Sequence, residues 1–338
     1  MTLSWNLPTV ESLGLATAFR YSVSLPSPAV PTLSYDEPIP LPDSDCLITA
    51  NVPLAKLTSF RVGGPAEWYV APRTLEELRA SVLWAADYEL PTTFLGAGSN
   101  LLISDEGLPG LVIGTRNLHK ISFDADRGQV TVGAGEKMPK LARELAKRGW
   151  SGLEWSVGIP AMIGGAVVMN AGAHTGCIAD VLVDVKVMNA QGRVETLTPQ
   201  QLGYRYRTSN LQKGGYFVVE ATFQLEPGHD PAIVQQETEH NWSMRHSTQP
   251  YDRPSCGSVF RNPTPYKAGW LIEQVGLKGY QIGGAQVAER HANFILNCGG
   301  ATASDIFNLI RHVQHQVQQQ WSLDLEPEVR ILGEFQAA

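Results

Sequence analysis

The segment VGIPAMIGGAVVMNAGAH, residues 157–174, places Gly158, Gly164, Gly165 and Gly172 among side chains that are nearly all apolar. Glycine loses more backbone freedom than alanine when it enters a helix, so this density of glycine disfavours an ordinary helix. The segment is also too apolar for a loop in solvent. It therefore predicts a glycine-rich wall that lines something buried, and the fold of the chain has to provide that enclosed space.

A second glycine-rich segment, GAGSN at residues 96–100, follows the strand pattern TTFL. Its successive backbone N–H groups, with the Ser99 hydroxyl and the Asn100 amide, form a concave site that suits a diphosphate. It is not the Gly-x-Gly-x-x-Gly fingerprint, and no helix pattern opens directly after it, so a plain hairpin connection is the alternative. Two such loops in one strand-rich region predict a long, flat cofactor that carries a diphosphate.

Helix and strand patterns both occur along the chain. Thr74 and Glu77 fit a capping box ahead of apolar residues at helical spacing. Gly149 is the expected C-cap of a helix over residues 139–148. The other predicted elements are strands over residues 181–225, a helix over residues 304–320 and a final strand, EVRILGEF.

Composition divides the chain into four parts. Residues 1–45 hold seven prolines and no lysine, which predicts a flexible leader. A change of composition at about residue 226 separates a strand-rich domain, residues 46–226, from a smaller domain, residues 227–325. The final strand, within residues 326–338, closes the chain.

Charge and cysteine usage argue against several classes of function. The net charge of −7 and the pI of about 5.6 leave no basic stripe for nucleic acid. Four scattered cysteines, without Cys-x-x-Cys or a histidine at zinc-ligand spacing, predict neither a metal site nor a disulfide framework. The chain has no signal-peptide pattern and no apolar run of roughly eighteen residues, so we expect a cytoplasmic protein without stable membrane association.

Three residues in separate motifs are candidates for chemistry. Ser258 lies in RPSCGSVFRNP, which does not read Gly-x-Ser-x-Gly, so we expect a proton donor rather than a nucleophile. Arg207, in YRYRTSN, supplies a permanent cation, and a strand can deliver Glu328 into a cleft. The structural alternatives are a serine that caps a turn, a surface arginine, and an ion pair between Glu328 and Arg330.

Six motifs occur in an order that resembles the UDP-N-acetylenolpyruvoylglucosamine reductase family: LGAGSNLLISDEG, GIPAMIGGAVVMNAGA, YRTS, GSVFRNP, AGWLIEQ with LKGYQIGGAQV, and LEPEVR. This family consists of flavoenzymes that make UDP-N-acetylmuramate for bacterial peptidoglycan. The resemblance, over about residues 50–335, implies an FAD-binding domain of the vanillyl-alcohol oxidase-like (PCMH) type over residues 46–226. It also implies a smaller α+β substrate-binding domain over residues 227–325, NADPH as co-substrate and a UDP-sugar as substrate. We expect a monomer.

The resemblance also implies roles for individual residues. Ser258 would be the general acid and would act with Arg207 and Glu328, the last on the closing segment, residues 326–338. The implied contacts with the UDP-sugar are Tyr206, Asn262, Arg245, Lys267 and His291. The implied FAD-binding residues are Gly96, Ala97, Gly98, Ser99, Asn100, Leu101, Gly158, Ile159, Pro160, Gly164, Gly165, Ala166, Asn170 and Gly172.

The family has two forms, and one of them carries a substrate-binding tyrosine on a loop inserted before the serine motif. Here the span over residues 226–254 is short, and its tyrosine, Tyr251, lies too close to Ser258 for that role. The chain therefore resembles the form without the loop. His291 falls where the loop-bearing form has a glutamine.

The residues also suggest a mechanism. Hydride addition to an enol ether that bears a carboxylate builds negative charge, which the fixed cation of Arg207 and a protonated Glu328 can stabilise. Ser258 then protonates the adjacent carbon, and reduced flavin, recharged by NADPH in the same cleft, supplies the hydride. A flavoprotein oxidase of the same superfamily and a catalytically silent nucleotide-sugar-binding protein are the alternatives, and NADPH consumption without oxygen separates the reductase from the oxidase.

Overall fold

The computed structural model describes residues 37–173 and 176–336. The strands are β1 (Ile39–Pro40), β2 (Leu47–Pro53), β3 (Pro65–Val70), β4 (Thr92–Leu95), β5 (Leu101–Ile103), β6 (Leu108–Gly114), β7 (Ile121–Asp124), β8 (Gln129–Gly133), β9 (Gly172–Ala173), β10 (Gly176–Cys177), β11 (Leu182–Asn189), β12 (Val194–Leu197), β13 (Tyr216–Gln224), β14 (Gln281–Ile282), β15 (Ala285–Val287), β16 (Ile295–Asn297) and β17 (Arg330–Leu332). The helices are α1 (Leu75–Asp87), α2 (Met138–Lys147), α3 (Ile163–Val168), α4 (Ile178–Val181), α5 (Pro199–Leu202), α6 (Pro231–Thr248), α7 (Ala268–Gln274) and α8 (Ala303–Trp321).

The first sheet has the strand order β1-β2-β3-β6-β4, and it brings the GAGSN loop to one edge. Strands β3 and β4 both run parallel to β6, so the carboxyl ends of the three strands lie at the same edge. GAGSN follows directly after Leu95, the last residue of β4. Thr74 accepts a hydrogen bond from the Glu77 backbone at the start of α1, which confirms the helix predicted there.

The second sheet is antiparallel, with the strand order β12-β11-β13-β8-β7. Val130 and Val132 alternate with more exposed residues along β8, as expected for a strand with one buried face. Helix α3 packs on β13, and so brings the glycine-rich segment to this sheet. The expectation that glycine would keep this segment out of helix is wrong for six residues, because Gly164 lets α3 approach Ala134, whose side chain lies 3.0 Å from the position of a Cβ at residue 164.

A third sheet, β14-β15-β16, packs with α7 and α8 around a separate core. Ile306, Leu309 and Val313 of α8 are buried in this core, and Thr302 begins the helix with a capping box. Phe60, from the first part of the chain, lies in the same core. The last strand, β17, pairs in parallel with β5, directly after the GAGSN loop. The C-terminal segment therefore joins the two parts of the molecule.

Two elements bear on the predicted parts, whose boundaries stay predictions. Helix α6 packs on α2 and adds no residue to the core of the third sheet, although the sequence grouped it with residues 227–325. Strand β1 pairs with β2 and Leu41 is buried, so regular structure begins before residue 45. The rest of the predicted leader, residues 1–36, lies outside the described residues. Within those residues no helix is both long and apolar enough to cross a membrane.

Candidate active site

A cavity of about 680 Å³ lies between the two glycine-rich segments, and we call it the first cavity. Its size falls in the range of small-molecule and cofactor sites. The residues expected to bind a cofactor that line it are Gly96, Ala97, Gly98, Ser99, Asn100, Leu101, Ile159, Pro160, Gly164, Gly165, Ala166 and Gly172. The structure therefore brings both predicted walls to one cavity.

The GAGSN loop presents unpaired backbone donors in this cavity. Arg116 donates from Nε to the carbonyl oxygen of Gly96 at 2.9 Å and from Nη2 to that of Ala97 at 3.1 Å. Within residues 37–173 and 176–336, no group accepts a hydrogen bond from the N–H groups of residues 97–100. Gly98 is buried and its neighbours are half-buried, so these unpaired N–H groups face the cavity wall and fit the diphosphate of FAD.

Two glycines in the cavity wall have different steric roles. At Gly165 a Cβ would meet no atom within 4 Å, so any side chain there would project into open space that a flat ring system could fill. At Gly98, where φ is +65°, a Cβ would lie 2.3 Å from the Leu57 carbonyl oxygen. Gly98 is therefore needed for the packing of the loop on residue 57, and not for close approach of a phosphate.

Two residues expected to bind the cofactor do not line the cavity. Asn170 is buried with φ +44°; its Nδ2 donates to the Arg205 carbonyl oxygen and its Oδ1 accepts from the Ala179 N–H, each at 3.0 Å. Gly158 packs against Arg245, since a Cβ there would lie 2.2 Å from Arg245 Cδ. Both residues are bonded to, or packed on, the protein itself behind the wall, and their contact with the cofactor stays a prediction.

Arg207 and Glu328 meet in the first cavity. Arg207 donates from Nε to Glu328 Oε1 at 2.8 Å and from Nη2 to the Gly172 carbonyl oxygen at 2.8 Å. Burial raises the pKa of Glu328 above its ordinary value, although the Arg207 cation opposes that shift. The ion pair expected as an alternative between Glu328 and Arg330 is replaced by one with Arg207, and Arg330 itself lines the cavity.

Backbone hydrogen bonds place Glu328 between the GAGSN loop and the serine motif. The Glu328 N–H donates to the Val259 carbonyl oxygen at 2.7 Å, and the Asn100 side chain donates to the Glu328 carbonyl oxygen at 3.1 Å. The Arg330 N–H donates to the Asn100 carbonyl oxygen at 3.0 Å. Hydrogen bonds to the GAGSN loop and to the serine motif therefore fix the backbone from which the Glu328 carboxylate enters the cavity.

Ser258 lies where the first cavity meets a second cavity of about 290 Å³, because it lines both. It follows Gly257, whose φ is +74°, and forms an isolated bridge with Phe294. Within the described ranges, no group of the protein is hydrogen-bonded to the Ser258 hydroxyl, so the prediction of a serine that caps a turn has no support here.

The second cavity collects the side chains expected to hold a UDP-sugar. Asn262, Lys267 and His291 line it, and their contact with the UDP-sugar stays a prediction. Burial lowers the pKa of His291, which favours the neutral ring. Asn262 accepts from the Ala268 N–H at 3.0 Å through Oδ1, which leaves its amide nitrogen available to a ligand.

Two of the residues expected to contact the sugar lie elsewhere. Tyr206 lines neither cavity: its side chain is about half exposed, and its ring lies 5.0 Å from Arg207 Cζ. Arg245 lines the first cavity rather than the second, and donates from Nε to the Tyr251 hydroxyl at 2.9 Å. Tyr206 is placed outside because it occupies the centre of a tight turn between Arg205 and Thr208.

Sequence reasoning missed several cavity residues. Lys278, Arg290 and Trp270 line the second cavity, and the first two add positive charge there. Lys278 pairs with Glu273 at 2.8 Å. Arg290 directly precedes His291 in the chain, and this position was the one feature of the sequence that could have marked Arg290 as a cavity residue. Lys278 and Trp270 lie in two of the quoted motifs, but nothing in the residue types marked them as ligands.

The possible metal ligands and the cysteines of the described residues provide no second functional site. Within residues 37–173 and 176–336 no group of three or more His, Cys, Asp or Glu is placed to hold a metal ion. The four cysteines are free thiols, and burial raises the pKa of Cys256 to about 12. Cys256 is therefore a neutral, packed side chain although it lines the first cavity.

Comparisons with known proteins agree with this geometry. The FAD binding domain model matches residues 66–198, and the model described as UDP-N-acetylenolpyruvoylglucosamine reductase, C-terminal domain, matches residues 249–332. The second match begins directly after α6, where the second core begins. The α+β class with an FAD-binding domain is thereby confirmed.

Individual relatives extend the match over nearly the whole chain. A protein named UDP-N-acetylenolpyruvoylglucosamine reductase from Nostoc sp. is 62% identical over 298 residues, which are 88% of this chain and 90% of the relative. One of the same name from Synechocystis sp. is 55% identical over 312 residues, which are 91% and 98% of the two chains. The crystal structure of UDP-N-acetylenolpyruvylglucosamine reductase from Thermus caldophilus has a TM-score of 0.72 at 36% identity and covers 85% of this chain and 99% of that one.

These matches settle the class of the molecule. The chain is an oxidoreductase and a flavoprotein that takes FAD, and its enzyme family serves peptidoglycan synthesis. The six motifs are thus confirmed as family motifs, and this chain belongs to the UDP-N-acetylenolpyruvoylglucosamine reductase family.

Proposed function

We propose that this protein uses NADPH to reduce UDP-N-acetylglucosamine enolpyruvate to UDP-N-acetylmuramate, with Ser258 as the proton donor. The observation that carries the proposal is the position of Ser258. It lines both the cavity that fits FAD and the cavity that fits a nucleotide sugar. A substrate held in the second cavity can therefore present its reacting carbon to Ser258 at the entrance to the first.

The first cavity would hold FAD through backbone groups. The unpaired N–H groups of residues 97–100 would bind the diphosphate, and the open space over Gly165 would accept the flat ring system. Bound FAD, once reduced by NADPH, supplies the hydride that no side chain of the protein can supply. The protein contributes position, exclusion of water, charge and a proton.

The second cavity would hold the nucleotide part of the substrate. Lys267, Lys278 and Arg290 outnumber Glu273 among its charged residues, so the cavity favours an anion such as a diphosphate. The Asn262 amide nitrogen and a neutral His291 ring add hydrogen-bonding groups for neutral polar atoms. This separation would fix the sugar on one side of Ser258 and the enolpyruvyl group on the other.

Arg207 and Glu328 would stabilise the charge that develops on the carboxylate side of the enolpyruvyl group. Arg207 uses Nε and Nη2 within the protein, which leaves Nη1 for a ligand in the cavity. Burial raises the pKa of Glu328, which favours the protonated form, and that form could donate a further hydrogen bond. Such preorganised groups commonly account for a large share of the lowering of an activation barrier.

Ser258 would complete the reaction. Addition of hydride at one carbon leaves carbanion character at its neighbour, and a hydroxyl is acidic enough to protonate such a carbon. Because no group of the described protein binds the Ser258 hydroxyl, it is free to turn toward the substrate.

The proposal is tested with purified protein under anaerobic conditions. NADPH should bleach the yellow flavin, and UDP-N-acetylglucosamine enolpyruvate should then restore the colour with formation of one UDP-N-acetylmuramate per NADPH. Colour that returns with oxygen but not with this substrate would indicate the oxidase instead. NADH in a parallel titration tests the preference for NADPH.

The cytoplasmic location and the monomeric state expected from the sequence stay predictions. Size-exclusion chromatography with light scattering on the full chain checks the second, and a mass of about twice the 36.8 kDa of one chain would contradict it.

A further inference from the structure

Arg261 lies three residues after Ser258, and the mechanism above gives it no role. Its side chain is 22% exposed, yet it lines neither the first nor the second cavity. Burying a charge is unfavourable unless the charge is paired and hydrogen-bonded. The contacts of Arg261 therefore indicate what it is for.

Those contacts join two segments that carry candidate catalytic residues. Arg261 Nη1 pairs with Glu326 Oε1 at 2.7 Å, and its backbone N–H donates to the Glu326 carbonyl oxygen at 2.9 Å. From Nη2 it donates to the Arg207 carbonyl oxygen at 3.3 Å. One guanidinium thus contacts the turn that bears Arg207 and the segment that leads into Glu328.

The turn that bears Arg207 needs such support. Arg205 and Thr208 exchange two backbone hydrogen bonds of 3.0 Å across it, and Arg207 sits at its centre with φ +54°. A residue with a Cβ is strained in this left-handed region and stays there only when its surroundings hold it. The Arg207 carbonyl oxygen is held by two donors, Arg261 Nη2 and Gln212 Nε2, the latter at 3.0 Å.

We propose that Arg261 is a positioning residue: its guanidinium holds the left-handed turn at Arg207 against the Glu328 segment and so aims the Arg207 side chain at the substrate carboxylate. The inference rests on the proposed roles of Arg207 and Glu328. It predicts an effect on the step that consumes the enolpyruvyl substrate and none on the reduction of flavin.

The positive charge of Arg261 has a second measurable effect, on the pKa of Glu328. The cations that face Glu328 are Arg207, Arg261 and Arg245, and each lowers the pKa that burial raises. Removal of Arg261 should therefore raise the pKa of Glu328, and any limb of the pH profile that reports loss of the Glu328 proton should move to higher pH. This shift reports the charge of Arg261 at Glu328, whereas slower reoxidation reports the position of Arg207.

The experiment uses the full, FAD-loaded chain with Arg261→Met, reduced by dithionite without oxygen and reoxidised by UDP-N-acetylglucosamine enolpyruvate. Reoxidation should slow roughly 10- to 100-fold, the size expected when a charged group is misplaced by about an ångström. The limb that reports Glu328 should shift to higher pH, and NADPH should bleach the flavin at the rate seen in the unmodified protein. Arg311→Met, on the exposed side of α8, is the matched control and should leave both rates unchanged.

Two further variants, Arg261→Lys and Arg207→Met, distinguish failure of this inference from failure of the proposed role of Arg207. Arg261→Lys keeps the cation but not the two nitrogens that contact Glu326 and Arg207, so the Glu328 limb should return toward its unmodified position while reoxidation stays slow. A lysine variant with the normal rate would show that charge alone carries the effect and would overturn the proposal. Unchanged reoxidation in Arg261→Met, or equal slowing of both half-reactions, would also overturn it. If Arg207→Met itself leaves reoxidation unchanged, the proposed role of Arg207 fails and takes this inference with it, whereas slowing in Arg207→Met alone refutes only the positioning role.

Discussion

The two cavities that meet at Ser258 are built from different materials. The first is lined largely by backbone and small residues: unpaired N–H groups at residues 97–100 and the bare face of Gly165. The second is lined by the ends of long charged side chains, such as Lys267, Lys278 and Arg290. A site made of backbone is damaged by adding atoms, and a site made of side chains is damaged by removing them.

The two cavities also differ in whether ligand binding depends on backbone geometry or on side-chain charge. Backbone donors keep their positions as long as the loop keeps its fold, and Arg116 holds the GAGSN loop through its carbonyl oxygens. Flexible cations such as Lys267 adapt to a ligand and are screened by salt. Binding of FAD should therefore depend weakly on ionic strength, and binding of the UDP-sugar strongly.

Among variants of the two cavity walls, the largest effect is expected at Arg207, one of the charged side chains that line the backbone-built cavity. Arg207→Met removes the cation and leaves Glu328 without its partner. We expect the enolpyruvyl substrate to reoxidise the flavin roughly 10² to 10³ times more slowly, as when one donor to a developing oxyanion is lost. Stopped-flow absorbance measures the rate, and unchanged FAD content is the control. A variant that loses FAD instead would show that Arg207 belongs to the cofactor site.

Gly165→Val tests the backbone-built wall directly. Its side chain would enter space that the bound cofactor needs, so FAD should bind roughly 10- to 100-fold more weakly, which corresponds to about 1–3 kcal/mol of overpacking. Equilibrium dialysis of the apoprotein against FAD measures the constant. Gly165→Ala, which adds one carbon within helix α3, should have a smaller effect. Equal affinity in all three proteins would contradict the placement of the ring system over Gly165.

Lys267→Met tests the side-chain-built cavity. Loss of one cation that binds substrate and transition state alike should raise KM about tenfold and leave kcat nearly unchanged. Steady-state rates at two salt concentrations check this, and the difference from the unmodified protein should shrink at high salt. A fall in kcat at constant KM would place Lys267 at the reacting group.

The smallest expected effect concerns pH. Burial holds the pKa of Glu328 above its ordinary value, so the protonated form persists to higher pH and is lost as the pH rises through that raised pKa. If catalysis needs the protonated form, the rate falls along that limb. Glu328→Gln keeps a donor at all pH values, so a pH–rate profile should lose the limb at the cost of a severalfold lower rate. A limb that persists in the glutamine variant belongs to another group.

The sequence predicted the features that are set by neighbours in the chain. Helix α1 begins where Thr74 caps it, α8 spans nearly the predicted range, and both glycine-rich segments line one cavity because their roles depend on local backbone. Asn170 and Gly158 were included only because they lie within a glycine-rich motif, and the structure uses them behind the wall.

Features that depend on distant packing were harder to predict. The pairing of Arg207 with Glu328, rather than of Arg330 with Glu328, follows from the parallel register of β17 on β5, which no local pattern encodes. Helix α6 packs on α2 through contacts that are distant in sequence, so no local pattern could show which part of the chain it joins.

The central claim is that Ser258 donates a proton at the junction of the two cavities. Stopped-flow measurement of both half-reactions in Ser258→Ala tests it most directly. The account predicts that NADPH bleaches the flavin at nearly the normal rate and that reoxidation by UDP-N-acetylglucosamine enolpyruvate slows roughly 10²- to 10⁴-fold, with Ser258→Cys retaining more activity than alanine because a thiol also donates a proton. Equal slowing of both half-reactions, or of neither, would contradict it.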